Sequence, residues 1–366
     1  MQIGFLQSSD PRCPISETSA KKFAKLGVQM LIEIGMGESL QLDLESLDKV
    51  SDKSRDEILT SADIVYSSDP LDTSELSTLK KDAILISFYA PFNDDNKLDT
   101  LNGKDIHVFS MDMIPRTTLA QSMDVLSSMA SIAGYKAVLT AAQKLPRYFP
   151  MLMTAAGTVK PATVLILGAG VAGLQAIATA KRLGAKVEAF DVRKAVKEEV
   201  QGLGAKFIEV EGSTDNKDAG GYAVEQTEDY KRKQAEKIAE RVANADVVIT
   251  TAQLRGRPAP TLVTKAMVDN MKYGSVIVDL AASTGGNCEL TKGETTIDYK
   301  GIQIIGDSHL ENQAIMDASD LLANNIYNYS SQFVKEETIH IDEANEIISK
   351  SRIYTYEKQI LSLIHI

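Results

Sequence analysis

The first 115 residues alternate between short apolar runs and amphipathic stretches. The apolar runs predict strands at residues 2–6, 28–34, 63–66, 83–89 and 105–110. Polar and apolar positions at helical spacing predict helices at residues 16–26, 54–61, 71–79 and 94–101. Strands and helices that alternate at this spacing are typical of a parallel sheet covered on both faces. We therefore predict one α/β domain here, without a glycine fingerprint of its own.

The pattern changes at residue 117, where one helical stretch runs without an internal proline to residue 145. A helix of this length exceeds one domain layer, so it predicts a crossover between two domains. Apolar runs beyond it predict strands at residues 163–167, 186–190, 206–210, 246–251, 275–280 and 301–305. Helices are predicted between them at residues 171–183, 230–243 and 262–271. These elements complete a second doubly wound sheet.

A last amphipathic helix is predicted at residues 311–330, with Leu322 and Ile326 on its apolar face. Because the second sheet is already complete, we expect this helix to return to the first domain. The predicted fold is α/β, with two doubly wound Rossmann-like domains joined by a long crossover helix. The first domain takes residues 1–125 and 312–366, and the second takes residues 126–311. The apolar end of the chain fits a membrane-tethering continuation, a packed tail or a sequence artefact.

A glycine-rich turn stands at the start of the second sheet. The apolar strand at residues 163–167 runs straight into Gly-Ala-Gly-Val-Ala-Gly, and an amphipathic helix follows. Gly168 permits the tight turn, and Gly170 lets the backbone approach a pyrophosphate. Gly173 lets the helix pack closely on the strand, so that a diphosphate can lie at the helix N-terminus. A bare GxGxxG is also found in ordinary turns, but here the strand, turn, helix and next strand follow in the order that dinucleotide binding requires.

An acidic residue ends the next predicted strand. Asp191 lies eighteen residues beyond Gly173, where a carboxylate accepts both ribose hydroxyls and repels a 2′-phosphate. Arg193 is a base that a 2′-phosphate could use, but Asp191 lies nearer to that position. The pattern therefore predicts a preference for NAD(H) over NADP(H).

Composition excludes several classes of function. The net charge is −11 and no basic block occurs, which argues against a nucleic-acid partner. Acidic residues predominate in the first predicted domain and after residue 311, whereas the nucleotide region is nearly neutral. The N-terminus has no targeting pattern, and no run approaches the roughly eighteen apolar residues of a membrane span. Two cysteines and four histidines, far apart in sequence, predict reduced thiols and no metal site.

Longer stretches carry a specific resemblance. They are residues 113–138, residues 153–185 with the following FDVR, residues 219–237, TTAQLRGRPAP from Thr250, and DLAASTGGNCEL from Asp279. Together they resemble the NAD(H)-binding component, the soluble alpha-subunit domain, of proton-translocating NAD(P) transhydrogenase. The resemblance covers nearly the whole chain and fades after about Tyr329. The same superfamily contains alanine dehydrogenase.

The resemblance implies a group of residues that holds the nicotinamide end of NAD(H) and presents it to an NADP(H)-binding component. Its members here are Arg116, Gln121, Asp124 and Ser127. If the helix begins at residue 117, the last three lie on one helical face, with Arg116 on the entering loop. An exposed, salt-bridged helix start is the alternative interpretation of the same spacing.

The resemblance also implies that residues 211–229 form a mobile cover over the bound nucleotide, with glycines as hinges. A plain surface loop is the alternative. The full set of predicted NAD(H) contacts is Gly168, Gly170, Val171, Ala172, Gly173, Asp191, Val192, Arg193, Gly221, Tyr222, Gln234 and Gln253.

We expect a component of a hydride-transferring, proton-coupled complex, active only with an NADP(H)-binding component and a membrane-spanning component. Transfer between two nicotinamides needs positioning more than acid–base catalysis, which fits a predicted site without histidine. The chain is expected to form a homodimer and to lie at the cytosol- or matrix-facing side of a membrane through its partners.

Two other functions remain open. An alanine dehydrogenase would need a lysine and a histidine in its substrate site. The sequence has VYSSDP (residues 65–70) and SFYAPF (residues 87–92) where these are expected, although Arg12 matches the family's arginine. A nucleotide-sensing module without activity would have the same sequence pattern.

Overall fold

The computed structural model describes residues 1–44, 46–92, 96–210, 227–254 and 256–355, with the side chains of all but Asn96 and Lys97. Two compact units are present. One is formed by Met1–Met129 and the described residues from Ala314 onward, and the other by Ala130–Gln313.

The regular elements follow in chain order. The first half of the described chain has β1 (Gln2–Phe5), α1 (Glu17–Lys25), β2 (Gln29–Glu33), β3 (Val50–Lys53), α2 (Arg55–Ser61), β4 (Ile64–Tyr66), α3 (Thr73–Thr78), β5 (Ile84–Ser87), α4 (Asn96–Asp99), β6 (His107–Ser110), α5 (Val125–Lys144), β7 (Leu152–Thr154), β8 (Gly157–Val159), β9 (Thr163–Leu167) and α6 (Val171–Arg182). The second half has β10 (Lys186–Phe190), α7 (Lys197–Gly202), β11 (Lys206–Phe207), α8 (Glu228–Asn244), β12 (Val247–Thr250), α9 (Lys265–Val268), β13 (Val276–Asp279), β14 (Thr296–Tyr299), β15 (Ile302–Ile305), α10 (Ile315–Ser330), β16 (Val334–Lys335), β17 (Thr338–Ile339), α11 (Glu346–Ser351) and β18 (Arg352–Thr355).

The sheet of the first unit has the strand order β3-β2-β1-β4-β5-β6-β18. Its first six strands are parallel, and β18 pairs antiparallel with β6. Every residue of β4 and β5 is buried, as expected for strands covered on both faces. Helix α1 begins where a capping box forms, since Ser16 and Ser19 satisfy each other's backbone amides.

The sheet of the second unit repeats this order, as β11-β10-β9-β12-β13-β15-β14. Again only the last strand, β14, runs antiparallel to its neighbour. Strands β9 and β12 lie side by side at the centre, so the loops that follow them are neighbours at the carboxyl edge. A ligand of a doubly wound sheet binds at this point, where the strand order reverses.

The short hairpin strands β7, β8, β16 and β17 were not predicted, and neither were three strands of the seven-stranded sheets. These three are β3 and β14, which lie at sheet edges, and β18, which comes from the weakly patterned C-terminal segment. Edge strands carry polar residues, as VSDK in β3 and TIDY in β14 show, so they lack a continuous apolar run. The predicted apolar end of the chain and the start of the helix at residue 94 lie outside the described residues.

The long crossover helix begins later than predicted. Residues Thr118–Met123 form a 3-10 helix, Asp124 is extended with ψ 91°, and α5 begins at Val125. The predicted start at residue 117 is therefore wrong, because the Asp124 side chain caps a new helix there instead of continuing the old one. Residues of α5 up to Met129 belong to the first unit and those from Ala130 to the second.

By length and composition, α5 is long and apolar enough to cross a membrane, and 39% of its most apolar stretch is buried. Interior helices of soluble proteins meet the same criterion. Its second half packs into the core of the second unit through Ala137, Val138 and Ala141, beside Val164 of β9.

Candidate functional site

The glycine turn after β9 has the geometry that the fingerprint predicts. Gly168 has φ +103°, and an added Cβ would lie 2.5 Å from Thr251 Oγ1. A Cβ on Gly173 would overlap the carbonyl oxygen of Gly168. Both positions therefore require glycine, one for the left-handed turn and the other for close packing of α6 on the turn.

Gly170 differs from the other two glycines. It is the N-cap of α6 with an ordinary φ of −80°, and nothing in the described chain lies within 4 Å of an added Cβ. The first α-helical bond runs from Leu174 N–H to Gly170 C=O over 2.8 Å, so the amides of Val171, Ala172 and Gly173 have no carbonyl of their own helix. Open space beside three such amides suits a pyrophosphate, and the residues present fit a dinucleotide.

A glycine of α5, which the sequence did not single out, supports the turn from behind. An added Cβ on Gly134 would lie 2.9 Å from the carbonyl carbon of Ala172 and still closer to its oxygen. Because a peptide carbonyl cannot rotate away as a side chain can, α5 and the first turn of α6 approach this closely only with glycine at residue 134.

We expect Gly134→Ala to destabilise the chain although alanine is the better helix former. Helix propensity favours alanine by about 1 kcal/mol, whereas overpacking against backbone costs about 1–3 kcal/mol. Urea unfolding followed by circular dichroism measures the difference. Gly202→Ala, in α7 with nothing described within 4 Å of the added Cβ, is the matched control and is expected to be neutral or slightly stabilising. A more stable Gly134→Ala chain would contradict the close packing.

The loop after β12 is fixed against the glycine turn by a buried polar network. Thr251 donates to the Gly168 carbonyl over 3.0 Å. The fully buried Asn287 side chain accepts from Ala252 N–H over 3.0 Å and donates to the Ala252 carbonyl over 2.8 Å. Asn287 N–H in turn donates to Asp279 Oδ2 over 2.8 Å. Sequence reasoning missed these supporting residues, because pairs as distant as Ala252 and Asn287 leave no local pattern.

Asp279, at the end of β13, anchors that network. Its fully buried carboxylate accepts from the hydroxyls of Thr250 and Thr291 and from backbone amides that include those of Asn287 and Cys288. These hydrogen bonds satisfy the carboxylate oxygens, as burial of a polar group requires. The Asp279 carboxylate therefore holds the DLAASTGG loop and the loop after β12 in one arrangement.

Asp191 follows β10 and is nearly buried, with 6% of its side chain exposed. Its Oδ2 accepts from Ala169 N–H, inside the glycine turn, over 2.8 Å. Arg193 folds back on the same carboxylate, from Nε to Oδ1 over 2.9 Å and from Nη2 to Oδ2 over 2.8 Å. This hydrogen-bonded carboxylate raises the pKa of the Arg193 guanidinium above its ordinary value.

The remaining predicted NAD(H)-binding residues are half-buried, exposed or outside the described part of the chain. Val192 follows Asp191 and is half-buried, as is Gln234 on α8. Gln253 is exposed in the loop after β12, and its amide donates to the Leu280 carbonyl over 3.0 Å. Gly221, Tyr222 and most of the predicted cover lie outside the described residues.

The predicted transfer group lies in the first unit. Arg116 and Gln121 are exposed, and Gln121 belongs to the 3-10 helix at Thr118–Met123. Asp124 accepts from Ser127 N–H over 2.9 Å and from its hydroxyl over 2.6 Å. The expectation of a single helical face is wrong, because Asp124 caps the helix that Ser127 enters. The cap instead fixes the Asp124 carboxylate and the Ser127 hydroxyl in contact with each other.

We expect Asp124→Ala to lower the free energy of unfolding by about 1 kcal/mol, the usual value of an N-cap. Asp124→Asn keeps a good N-cap acceptor and is expected to retain most of that stability. Thermal unfolding of both variants measures the difference. Equal losses in the two variants would show that the charge, and not the cap, stabilises this turn.

The arginine that matches the alanine dehydrogenase pattern is also in the first unit. Arg12 makes a bidentate ion pair with Asp10, from Nε over 2.8 Å and from Nη2 over 2.6 Å. The loop after β4 contains Ser67 and Ser68, and the Ser68 hydroxyl shares a hydrogen bond of 3.0 Å with the Tyr66 hydroxyl. Arg12 is therefore held by a carboxylate of its own loop.

Both cysteines are buried and unpaired as disulfides. Burial raises the pKa of the Cys13 thiol to about 11 and raises that of Cys288 as well. They behave as ordinary protonated thiols, and Cys288 contributes to the Asp279 network only through its backbone amide.

Known proteins match this chain along nearly its whole length. The alanine dehydrogenase/PNT N-terminal domain matches residues 6–133, and the alanine dehydrogenase/PNT C-terminal domain matches residues 137–362. The first part of the NAD(P) transhydrogenase subunit alpha of Rhodospirillum rubrum is 41% identical over an alignment of 339 residues, with 90% of this chain and 88% of that protein covered. The chain belongs to the NAD(P) transhydrogenase alpha-subunit family.

Two further proteins of the alanine dehydrogenase/transhydrogenase superfamily are similar to this chain. The crystal structure of a transhydrogenase from Sinorhizobium meliloti superposes with a TM-score of 0.82 at 36% identity, covering 97% of this chain and 98% of that one. The alanine dehydrogenase of Mycolicibacterium smegmatis is 25% identical over 79% of this chain and 74% of its own length. The predicted α/β fold and the predicted resemblance to transhydrogenases are both confirmed.

Proposed function

We propose that this alpha-subunit chain is the NAD(H)-binding component of a proton-translocating NAD(P) transhydrogenase of the Re/Si-specific type. It exchanges a hydride between NAD(H) and NADP(H), the latter held by a partner component. The observation that carries the proposal is the open space at Gly170 beside the first amides of α6, with Asp191 at the end of the neighbouring strand. The family relationship supports it over a general dinucleotide-binding protein.

When bound, NAD(H) supplies the hydride chemistry, and the chain supplies position. The amides of Val171 to Gly173 suit the pyrophosphate, and Asp191 suits the adenosine ribose. We assign the orientation of the nicotinamide to Arg116, Gln121, Asp124 and Ser127. None of these four needs to gain or lose a proton for a hydride to move, so their task is alignment.

The proposal requires partners. Proton movement needs a membrane-spanning component, and the chain would be peripheral to the membrane through that component. A homodimer is supported by the hairpin β7–β8, where Met151 and Met153 are 58% and 77% exposed. A two-stranded hairpin is only marginally stable in water, and burial of these methionines against a second copy would stabilise it.

Reconstitution tests the proposed function. The purified chain, mixed with an NADP(H)-binding transhydrogenase component, is expected to transfer hydride from NADPH to an NAD analogue whose reduced form absorbs at a distinct wavelength. The chain alone should not. Absence of transfer, with binding of NADH retained, would overturn the assignment.

Alanine is the substrate that separates the second candidate function. The chain is expected to produce no alanine-dependent NADH absorbance, because the expected lysine and histidine positions carry other residues and Arg12 is paired with Asp10. A robust alanine-dependent signal would favour the amino-acid dehydrogenase instead.

A further inference from the structure

The Asp191 carboxylate is fully hydrogen-bonded by donors of its own chain. Oδ1 accepts from Arg193 N–H and Nε, and Oδ2 accepts from Ala169 N–H and Arg193 Nη2, all between 2.8 and 2.9 Å. A carboxylate offers about four lone-pair positions, so all of them are used. Two adenosine ribose hydroxyls would need two of these positions.

The four donors are not equivalent. The Ala169 and Arg193 amides belong to the backbone of the turn and of the segment after β10, so they stay in place when a nucleotide binds. The Nε and Nη2 donors belong to a side chain that is 27% exposed, whereas the Asp191 side chain is 6% exposed. Only the Arg193 side chain can leave without unfolding the turn.

We infer that the Arg193 side chain occupies the ribose position of the nucleotide site and must leave Asp191 before the two ribose hydroxyls can donate to that carboxylate. This inference rests on the proposed nucleotide site and identifies a specificity-determining residue within it. A ribose with both hydroxyls replaces both side-chain donors, one for one. The carboxylate is then never left buried with unmatched lone pairs.

The exchange discriminates between nucleotides in a second way, besides direct charge repulsion. A 2′-phosphorylated ribose offers Asp191 only the 3′-hydroxyl, and it brings negative charge to a carboxylate that has just lost its cation. NADP(H) therefore cannot compensate for opening of the Asp191–Arg193 pair. The pair stays closed against NADP(H) and opens for NAD(H).

The test compares a ligand whose ribose hydroxyls would replace Arg193 on Asp191 with a ligand that has no such hydroxyls. Titration calorimetry measures binding of ADP and of 2′,3′-dideoxy-ADP to the intact chain and to Arg193→Met, which keeps the length of the side chain but removes its donors. Without competition, ADP is expected to bind on the order of three-fold or more tightly to the variant, the scale of a partly exposed ion pair. The dideoxy ligand, which has no hydroxyls to exchange, should bind both proteins equally.

Lys194→Gln is the matched control, because it removes a positive charge one residue further along without touching the Asp191 contacts. It is expected to change neither ligand. Arg193→Lys keeps the charge but cannot make both side-chain bonds, so it should fall between the wild-type chain and Arg193→Met. It also provides a second variant if Arg193→Met is poorly folded.

Weaker ADP binding to Arg193→Met, or an equal response of the two ligands, would overturn the inference, since Arg193 would then be a ligand contact or a general electrostatic attractor. Failure of the wild-type chain to bind either ADP or NADH would instead overturn the proposed nucleotide site itself. The two outcomes are distinguishable. Failure of the nucleotide site is measured as absent binding to the wild-type chain, whereas failure of the Arg193 inference is measured as the ratio of ADP affinities between Arg193→Met and wild type.

Discussion

Asp191→Asn is expected to reduce the preference of the chain for NADH over NADPH by about two orders of magnitude. The wild-type carboxylate would face a 2′-phosphate at close range, and a repulsion of this kind is worth a few kcal/mol at an intermediate dielectric. Asparagine removes the charge but keeps an oxygen that can accept from Ala169 N–H, so the glycine turn retains its tie. Titration calorimetry with both nucleotides measures the ratio.

Part of that change is expected to depend on Arg193. In the wild-type chain the guanidinium is held by Asp191, and in Asp191→Asn it becomes available to a 2′-phosphate, to which arginine binds in a bidentate manner. The double variant Asp191→Asn/Arg193→Met should therefore lose the part of the gain in NADPH affinity that Arg193 supplies, while keeping the loss in NADH affinity.

Asp269→Asn removes an equal charge from the exposed end of α9 and is the control for net charge. It should leave both nucleotide affinities unchanged. Equal binding of NADH and NADPH by the wild-type chain would show that Asp191 does not select the cofactor.

Gln121→Asn is expected to lower the reconstituted rate of hydride transfer by one or more orders of magnitude and to leave the NADH dissociation constant within about a few-fold. Most binding energy should come from the pyrophosphate and ribose contacts around the glycine turn and Asp191. The nicotinamide, in contrast, must lie within roughly 3–3.5 Å of its acceptor for transfer. Asparagine keeps the amide and shortens its reach by one methylene, so it disturbs alignment more than affinity.

Stopped-flow measurement of the transfer step, beside calorimetry of NADH binding, separates the two effects. Ser122→Ala is the neighbouring control, since Ser122 contributes its backbone carbonyl to Asn325 and Asn328 and its side chain is exposed. A wild-type rate in Gln121→Asn, or an equal fall in rate and affinity, would remove the assignment of alignment to this residue.

The sequence predicted the elements with continuous apolar runs and the residues with a local signature. Strands such as β4 and β9 are buried along most or all of their length, so their residues can be recognised without knowing their neighbours. Gly168 and Gly173 follow from a fixed spacing, and the structure shows the same two positions closed to any side chain.

The other features of the fold and of the site depend on contacts between side chains and backbone that the pattern of residue types does not show. The sequence keeps a helical period across residues 117–145. The start of α5 is seen only in the structure, where the Ser127 amide and hydroxyl donate to the Asp124 carboxylate. A glycine in mid-helix, such as Gly134, indicates only a weak helix former until the carbonyl beside it is known. In the sequence Arg193 is simply a base near the ribose position, and its contact with Asp191 requires side-chain geometry.

The two sheets share one strand order, including an antiparallel seventh strand on the same side. The two sheets differ in the length of the loop between the first strand and the first helix. Residues 168–170 separate β9 from α6, whereas residues 6–16 separate β1 from α1. The short crossover puts the glycine turn and the first amides of α6 at the carboxyl edge of its sheet, whereas residues 6–16 contain no glycine. The longer loop carries the Asp10–Arg12 pair instead, so one strand order supports a glycine turn in one sheet and an ion-paired loop in the other.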